Sequence, residues 1–255
     1  MASVKPDVAI VLGTYERLGL LKRAVASIRR SVGVLEHRII VVDGGSTDGT
    51  CEWLAEQPDI SPIFQRLPLK GAVDAFNLGF AFAVYSEAPY VVILNDDDEL
   101  IGPTCEIEQA VAIMARDESI GTVAFETDLR GPWQTEDWQG KPSCGKGVVR
   151  RAALMAVARA QGDPEGCLFW STQWHTYAAD SAAGCWMWKL GWEIMRGLGL
   201  RVHDNAGSNP DALRKANVRL YLDSGTAKLF TDVWGKPESL DYDRDAAERF
   251  GGRIR

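Results

Sequence analysis

Asp96, Asp97 and Asp98 stand side by side directly after the apolar run Tyr90-Val91-Val92-Ile93-Leu94. Three adjacent carboxylates repel one another unless a cation neutralises them. Hard divalent ions take carboxylate oxygens, and Mg2+ or Mn2+ commonly bridges protein carboxylates to substrate phosphates. A solvated acidic turn is the bland reading; the position at a strand end favours a metal. Asp43 closes a second apolar run, Arg38-Ile39-Ile40-Val41-Val42. There a carboxylate can accept hydrogen bonds from a base N–H or a ribose hydroxyl. It can equally form the turn in Asp43-Gly44-Gly45-Ser46, and both readings stand. No GxGxxG follows the first strand and no GxxxxGK[ST] occurs. A phosphate-bearing ligand would therefore lack a cradle of backbone amides. A carboxylate-held metal would supply the missing counterweight.

The elements that must position these groups are legible from periodicity. Val8–Leu12, Arg38–Val42, Tyr90–Leu94 and Ile120–Phe125 read as buried strands, with Ile63-Phe64 a weaker one. Between them, Leu20, Leu21, Ala24, Val25 and Ile28 repeat at helical spacing. So do Ala75, Phe76, Gly79, Phe80 and Ala83, and then Ile107, Ala110, Val111 and Met114. Ser46 is placed to cap the helix holding Trp53 and Leu54. Continuous apolar strands separated by amphipathic helices predict an α/β fold: a mostly parallel central sheet, Rossmann-like, with helices on both faces. Ligands bind such sheets at the carboxyl ends of the strands, where Thr14, Asp43 and the acidic run fall.

The second half differs. Eight of the nine Trp lie beyond residue 130, so this half is aromatic-rich. Leu129–Gly147 reads as loop, helical signals return over Arg150–Ala160 and Ala178–Leu190, and Leu200-Arg201-Val202 reads as a short strand. The tail from Asp241 is highly charged.

With 28 basic and 35 acidic residues the net charge is −7, which argues against coating nucleic acid by broad phosphate neutralisation. The 46 % hydrophobic and 25 % charged residues exclude general disorder. Five widely spaced Cys without a CxxC pair read as free thiols in a reducing compartment. No apolar run reaches the roughly 18 residues of a membrane helix, and the N-terminal apolar stretch is too short for a signal peptide. A cytoplasmic chain is expected.

In this order, the residues resemble the family-2 glycosyltransferases of the GT-A fold. The blocks are Val11-Leu12-Gly13-Thr14-Tyr15-Glu16-Arg17, Val41-Val42-Asp43-Gly44-Gly45-Ser46-Thr47-Asp48-Gly49-Thr50, Lys70-Gly71 with Ala75-Phe76-Asn77-Leu78-Gly79, and Leu94-Asn95-Asp96-Asp97-Asp98-Glu99-Leu100, the last resembling the DXD motif. Val148-Val149-Arg150-Arg151 resembles the acceptor-side Arg-Arg segment, and Asp180 precedes Gly191-Trp192 at the spacing of the family's base block. The sequence departs from the family pattern at Gly44, Phe76, Asn95 and Ala179.

The resemblance implies one GT-A catalytic domain over 1–255, with a nucleotide-sugar half over 1–128 and an acceptor half over 129–255. It implies transfer of a sugar from a nucleotide-diphosphate donor, a UDP-sugar for preference, to an acceptor hydroxyl with Mn2+ or Mg2+. Thr14, Tyr15, Glu16, Asp43, Lys70, Asn77 and Asp96 would bind the donor. Asp97 and Asp98 would hold the metal. Asp180 would be the catalytic base, and a single base points to inversion. Late in the chain, His203 falls where some relatives have a further metal ligand; a lone His is also a common structural hydrogen-bonder. Trp170, Trp174 and His175, just before Asp180, are assigned to the acceptor, whereas core filling is expected of most other Trp. His37 reads as structural. The acceptor stays open: a glycan precursor, a protein, a small molecule or a modified nucleobase. Two alternatives stand beside this reading: a nucleotidyltransferase that forms sugar nucleotides, and a non-catalytic sugar-nucleotide or glycan-binding module.

Overall fold

Alternation along the first strand, β1 (Val8–Thr14), explains the architecture. Val8, Ile10 and Leu12 enter one hydrophobic cluster and Ala9 and Val11 the other, so both faces of the strand are buried. The computed structural model describes residues 5–65, 71–103, 105–128, 134–135, 137–138, 141–142, 144–174, 177–205, 215, 219 and 223–234. On the Val8 face lie α1 (Leu18–Ser31) and α4 (Glu106–Arg116). On the Ala9 face lie α3 (Ala72–Tyr85), α5 (Arg151–Ala160) and α6 (Ala179–Lys189). The short α2 (Thr50–Ala55) and the later α7 (Thr226–Trp234) complete the described helices.

The sheet begins as the hydrophobic pattern predicts. β1 runs parallel to both β2 (His37–Asp43) and β4 (Tyr90–Ile93), and β2 runs parallel to β3 (Ile60–Phe64). The register sets Thr14 opposite Asp43 and Val11 opposite Ile93. The tips of three strands therefore end together, and the acidic run leaves from β4. Beyond β4 the sheet becomes mixed. β10 (Gly147–Arg150) lies antiparallel between β4 and β6 (Ile120–Thr127). β11 (Glu193–Asp204) runs parallel to β6 and antiparallel to the short β5 (Asp98–Leu100), with Asp204 opposite Asp98. The order is β3-β2-β1-β4-β10-β6-β11-β5. β7 (Gln134–Thr135) pairs with β6, while β8 (Asp137–Trp138) and β9 (Lys141–Pro142) form a separate ribbon.

Several local expectations are revised. The segment read as loop carries these short strands and leads into β10. The short strand expected at Leu200–Val202 is the end of a 12-residue strand. Its register shifts between Gly197 and Arg201, and that irregularity breaks the alternation a sequence reading relies on. Ser46 does not cap α2: Gly49 holds the N-cap position, and Asp48 accepts hydrogen bonds from the amide and hydroxyl of Thr50. The five cysteines are free, as expected. No helix among the described residues is long and apolar enough to cross a membrane.

Candidate active site

The three acids have three different environments. Asp96 is 2 % exposed; its Oδ2 accepts from Thr14 Oγ1 at 2.7 Å and its Oδ1 from Arg17 Nη1 at 2.8 Å. Asp98 has no exposed surface; its Oδ2 accepts the Asn95 amide at 2.7 Å and its Oδ1 faces Lys146 Nζ at 2.8 Å. Asp97 lies between them, 7 % exposed, and shares Arg17 Nη1 at 3.3 Å. Burial pushes the carboxyls of Asp96 and Asp98 up to about 7, while Arg17 and Lys146 respectively pull them back.

Asp98, expected as a metal ligand, is closed off from the surface. It forms a buried ion cluster with Lys146, which also pairs with Asp204 at the end of β11. The ammonium already supplies its counter-charge. Among the described residues, no three His, Cys, Asp or Glu side chains converge as a ready-made metal cage.

His203, on the same strand end, carries its own orienting group. Its Nδ1 donates to Asp128 Oδ2 at 2.6 Å, and Asp128 Oδ1 accepts the Asp204 amide at 3.0 Å. Burial works to raise Asp128, but those two hydrogen bonds hold it below the usual carboxylate range, so the acid is the acceptor. A carboxylate on Nδ1 is the arrangement that frees Nε2 as a ligand atom.

Behind the acids, the β1–α1 turn is pinned to the β2–α2 loop. Glu16 adopts a left-handed backbone at φ 55°, unusual for a residue other than glycine. Its amide donates to Ser46 Oγ at 2.8 Å, and its carboxylate accepts the amide and hydroxyl of Thr47 at 2.7 and 2.9 Å. Asp43 is fully buried and accepts the amides of Gly45 and Ser46, the Ser46 hydroxyl and the Cys51 thiol. The turn-forming reading of Asp43 is thus the one its hydrogen bonds express. Tyr15, between Thr14 and Glu16, is half-buried.

Asp180 is the second residue of α6, whose N-cap Ala178 is left-handed at φ 73°. It is part-buried, and its Oδ1 accepts the Ser181 amide at 2.8 Å. The Asp180 carbonyl accepts the Cys144 amide at 3.1 Å, and Lys146, two residues on, reaches Asp98. Two residue steps span at most about 7 Å of chain. Cys144–Lys146 is thus a short backbone bridge between the base candidate and the acidic tip.

The acceptor assignments of Trp170 and Trp174 need correction. Trp174 has no exposed surface and Trp170 only 6 %; both belong to the core. Trp170 packs on Phe76 at 4.6 Å and edge-on to Phe80 at 5.4 Å between ring centroids, so its faces are taken by protein. Asn77, expected at the donor, grips the Trp170 backbone instead: Nδ2 donates to the Trp170 carbonyl at 2.6 Å, and Oδ1 accepts its amide at 3.0 Å. Lys70 and His175 lie outside the described residues.

Lys146, Asp128 and Asp204 escaped the sequence reading, as did the role of Arg17. A lysine just before an apolar strand, an acid just after one, and Asp204 beside His203 are too common to single out. Only the strand order brings them to one point.

A profile of Glycosyl transferase family 2 matches residues 9–159, more than half of the chain. The chain belongs to that family. This glycosyltransferase has no match among curated proteins. Solved structures resemble it in fold. A mannosyltransferase from Pyrobaculum calidifontis, solved with GDP-Man and Mn2+, is 17 % identical with a TM-score of 0.61; the match covers 89 % of this chain and 65 % of that one. TarS 1-349 from S. aureus is 12 % identical with a TM-score of 0.56, covering 94 % and 77 %. The same TarS fragment with UDP gives 13 % and 0.52, covering 78 % and 58 %. The chain thus spans just under two thirds of the mannosyltransferase's length. The GT-A fold expected from the sequence stands.

Proposed function

We propose that this glycosyltransferase moves a sugar from a nucleoside-diphosphate donor to an acceptor hydroxyl, with a divalent cation at Asp97 and inversion at the anomeric carbon. The observation that carries this reading is the division of labour among the three acids. Asp96 is engaged by Thr14 and Arg17, and Asp98 by Lys146 and the Asn95 amide. Asp97, flanked by these two and 3.3 Å from Arg17, is the acid we assign to a metal, with His203 Nε2, oriented through Asp128, as a further ligand. When bound, such a cation offsets the negative charge that grows on the departing diphosphate. The β1 tip, Thr14 to Glu16, and the Asp43 loop would form the nucleoside side of the site.

Asp180 takes the proton of the acceptor hydroxyl in this scheme. Its chain neighbours Ala179 and Ser181 carry no carboxylate, and the scheme assigns it the role of single base. A retaining path needs a second carboxylate about 5 Å away as nucleophile. Metal use by the mannosyltransferase and UDP binding by TarS lend support at the level of fold.

A donor screen tests the proposal. UDP- and GDP-sugars are incubated with Mn2+, Mg2+ or chelator, and nucleoside diphosphate release is measured. Release should require the metal, and Asp97→Ala should reduce it to the chelated level. Equal release with chelator, or an Asp97→Ala variant that responds to Mn2+ like the wild type, would remove the metal from the scheme.

A further inference from the structure

Arg17 has more hydrogen-bonding capacity than its surroundings use. One nitrogen, Nη1, serves both Asp96 at 2.8 Å and Asp97 at 3.3 Å. Nε is buried and has no partner among the described residues. A guanidinium offers five N–H donors in a planar fork and matches phosphate oxygens two at a time. The backbone is held so that the side chain lies over the acids: Arg17 follows the left-handed Glu16, which Ser46 and Thr47 clamp from the neighbouring loop.

Among the described residues, the other cationic groups near the acids are already engaged. The sequence has no glycine-rich phosphate loop. The first amide of α1, Leu18 N, is taken by Asp48 Oδ2 at 2.8 Å, and those of Leu20 and Leu21 turn back to the Arg17 carbonyl. Lys146 is committed to Asp98 and Asp204. A side-chain cation at the tip of β1 is then the group best able to meet the anion.

We propose that Arg17 is the resident counter-cation of the donor site, competing with a divalent metal for Asp97 and pairing with the donor diphosphate once that anion is present. The inference rests on the metal reading given above. It makes Arg17 a donor-binding residue with opposite effects on two ligands. A guanidinium and a divalent ion repel, so the arginine weakens metal binding to the empty protein. Arginine and diphosphate attract, so the same residue strengthens nucleotide binding.

The test measures binding, not turnover. Mn2+ alone is titrated into the protein and free Mn2+ followed by electron paramagnetic resonance. The tighter of UDP and GDP is then titrated at saturating Mn2+ by calorimetry. Arg17→Met should bind Mn2+ alone more tightly than the wild type and the nucleotide about tenfold more weakly, the loss of one charge-assisted contact. Arg17→Lys keeps the charge but loses the fork. Its Mn2+ affinity should stay near the wild type, while nucleotide binding still weakens. If Arg17→Met loses affinity for both ligands, Arg17 merely holds the acids in place, and the proposal fails. It fails equally if neither affinity moves. Should Arg17→Met not fold, Arg17→Lys decides alone, and wild-type nucleotide affinity in that variant would overturn the proposal. Asp97→Ala distinguishes the underlying reading: if it leaves Mn2+ binding intact the metal site is elsewhere, whatever Arg17 does.

Discussion

Three identical side chains in a row carry three different burdens because each meets a different set of partners. Asp96 shares Arg17 with Asp97 but also holds Thr14, and Asp98 is closed off by Lys146. Residue type alone cannot separate them, which is why a sequence reading spreads the metal role over Asp97 and Asp98. Asp180 poses the reverse case: its type and spacing pointed to a base, and its part-exposed place at the start of α6 keeps that role open. Asp180→Asn should leave nucleoside-diphosphate binding by calorimetry unchanged while transfer falls by roughly 10²–10⁴-fold, the usual contribution of a general base. Near-normal turnover in that variant would move the base elsewhere. The aromatic residues were read least well, since an indole suits a sugar and a core equally. Trp170 and Trp174 both went to the core, and α3 presents Phe76, Phe80 and the Asn77 amide to Trp170.

At the scale of elements, the site depends on how closely α3 approaches the central strands. Gly79 makes that approach possible: a Cβ there would lie 2.4 Å from Val11 Cγ1 and 3.4 Å from Val42 Cγ2. Val11 and Val42 belong to the strands that end in Thr14 and Asp43. Gly79→Ala should cost roughly 1–3 kcal/mol by urea denaturation, the range for overpacking a filled core. An unchanged midpoint would show that helix and sheet can part without loss. The helices and first strands were legible because apolar residues recur at periods of two and 3.6. Short pieces such as β5, and the irregular β11, were not, because three residues carry no period and a register shift breaks one.

Over the whole molecule, burying acids creates a dependence of stability on pH. The carboxyls of Asp96 and Asp98 rise from an ordinary 3.8 to about 7 in the folded chain. The folded protein thus keeps protons that the unfolded chain gives up, and unfolding becomes easier as pH rises through that interval. Their contribution is complete below about pH 4 and is lost as pH passes through about 7. Asp48, Asp59, Asp128 and Asp163 are held low and work in the opposite sense, their contribution fading as pH falls. Asp98→Asn isolates the buried acid, because an amide never has to charge. Its unfolding free energy should decline less than the wild type's between pH 4 and 7; parallel curves would mean that Lys146 fully offsets the burial of Asp98.

By itself the sequence determined the alternating β-α-β order, the two-sided burial of the first strands and the acidic run at a strand tip. Each of these is written in neighbouring residues, where hydrophobic period and turn chemistry act. The tertiary structure alone decided which partners each of the three acids meets. Arg17 lies about 80 positions before Asp97 along the chain, and Lys146 and Asp204 are 48 and 106 positions from Asp98. Charge neutralisation depends on distance through space, and only the order of strands in the sheet sets those distances.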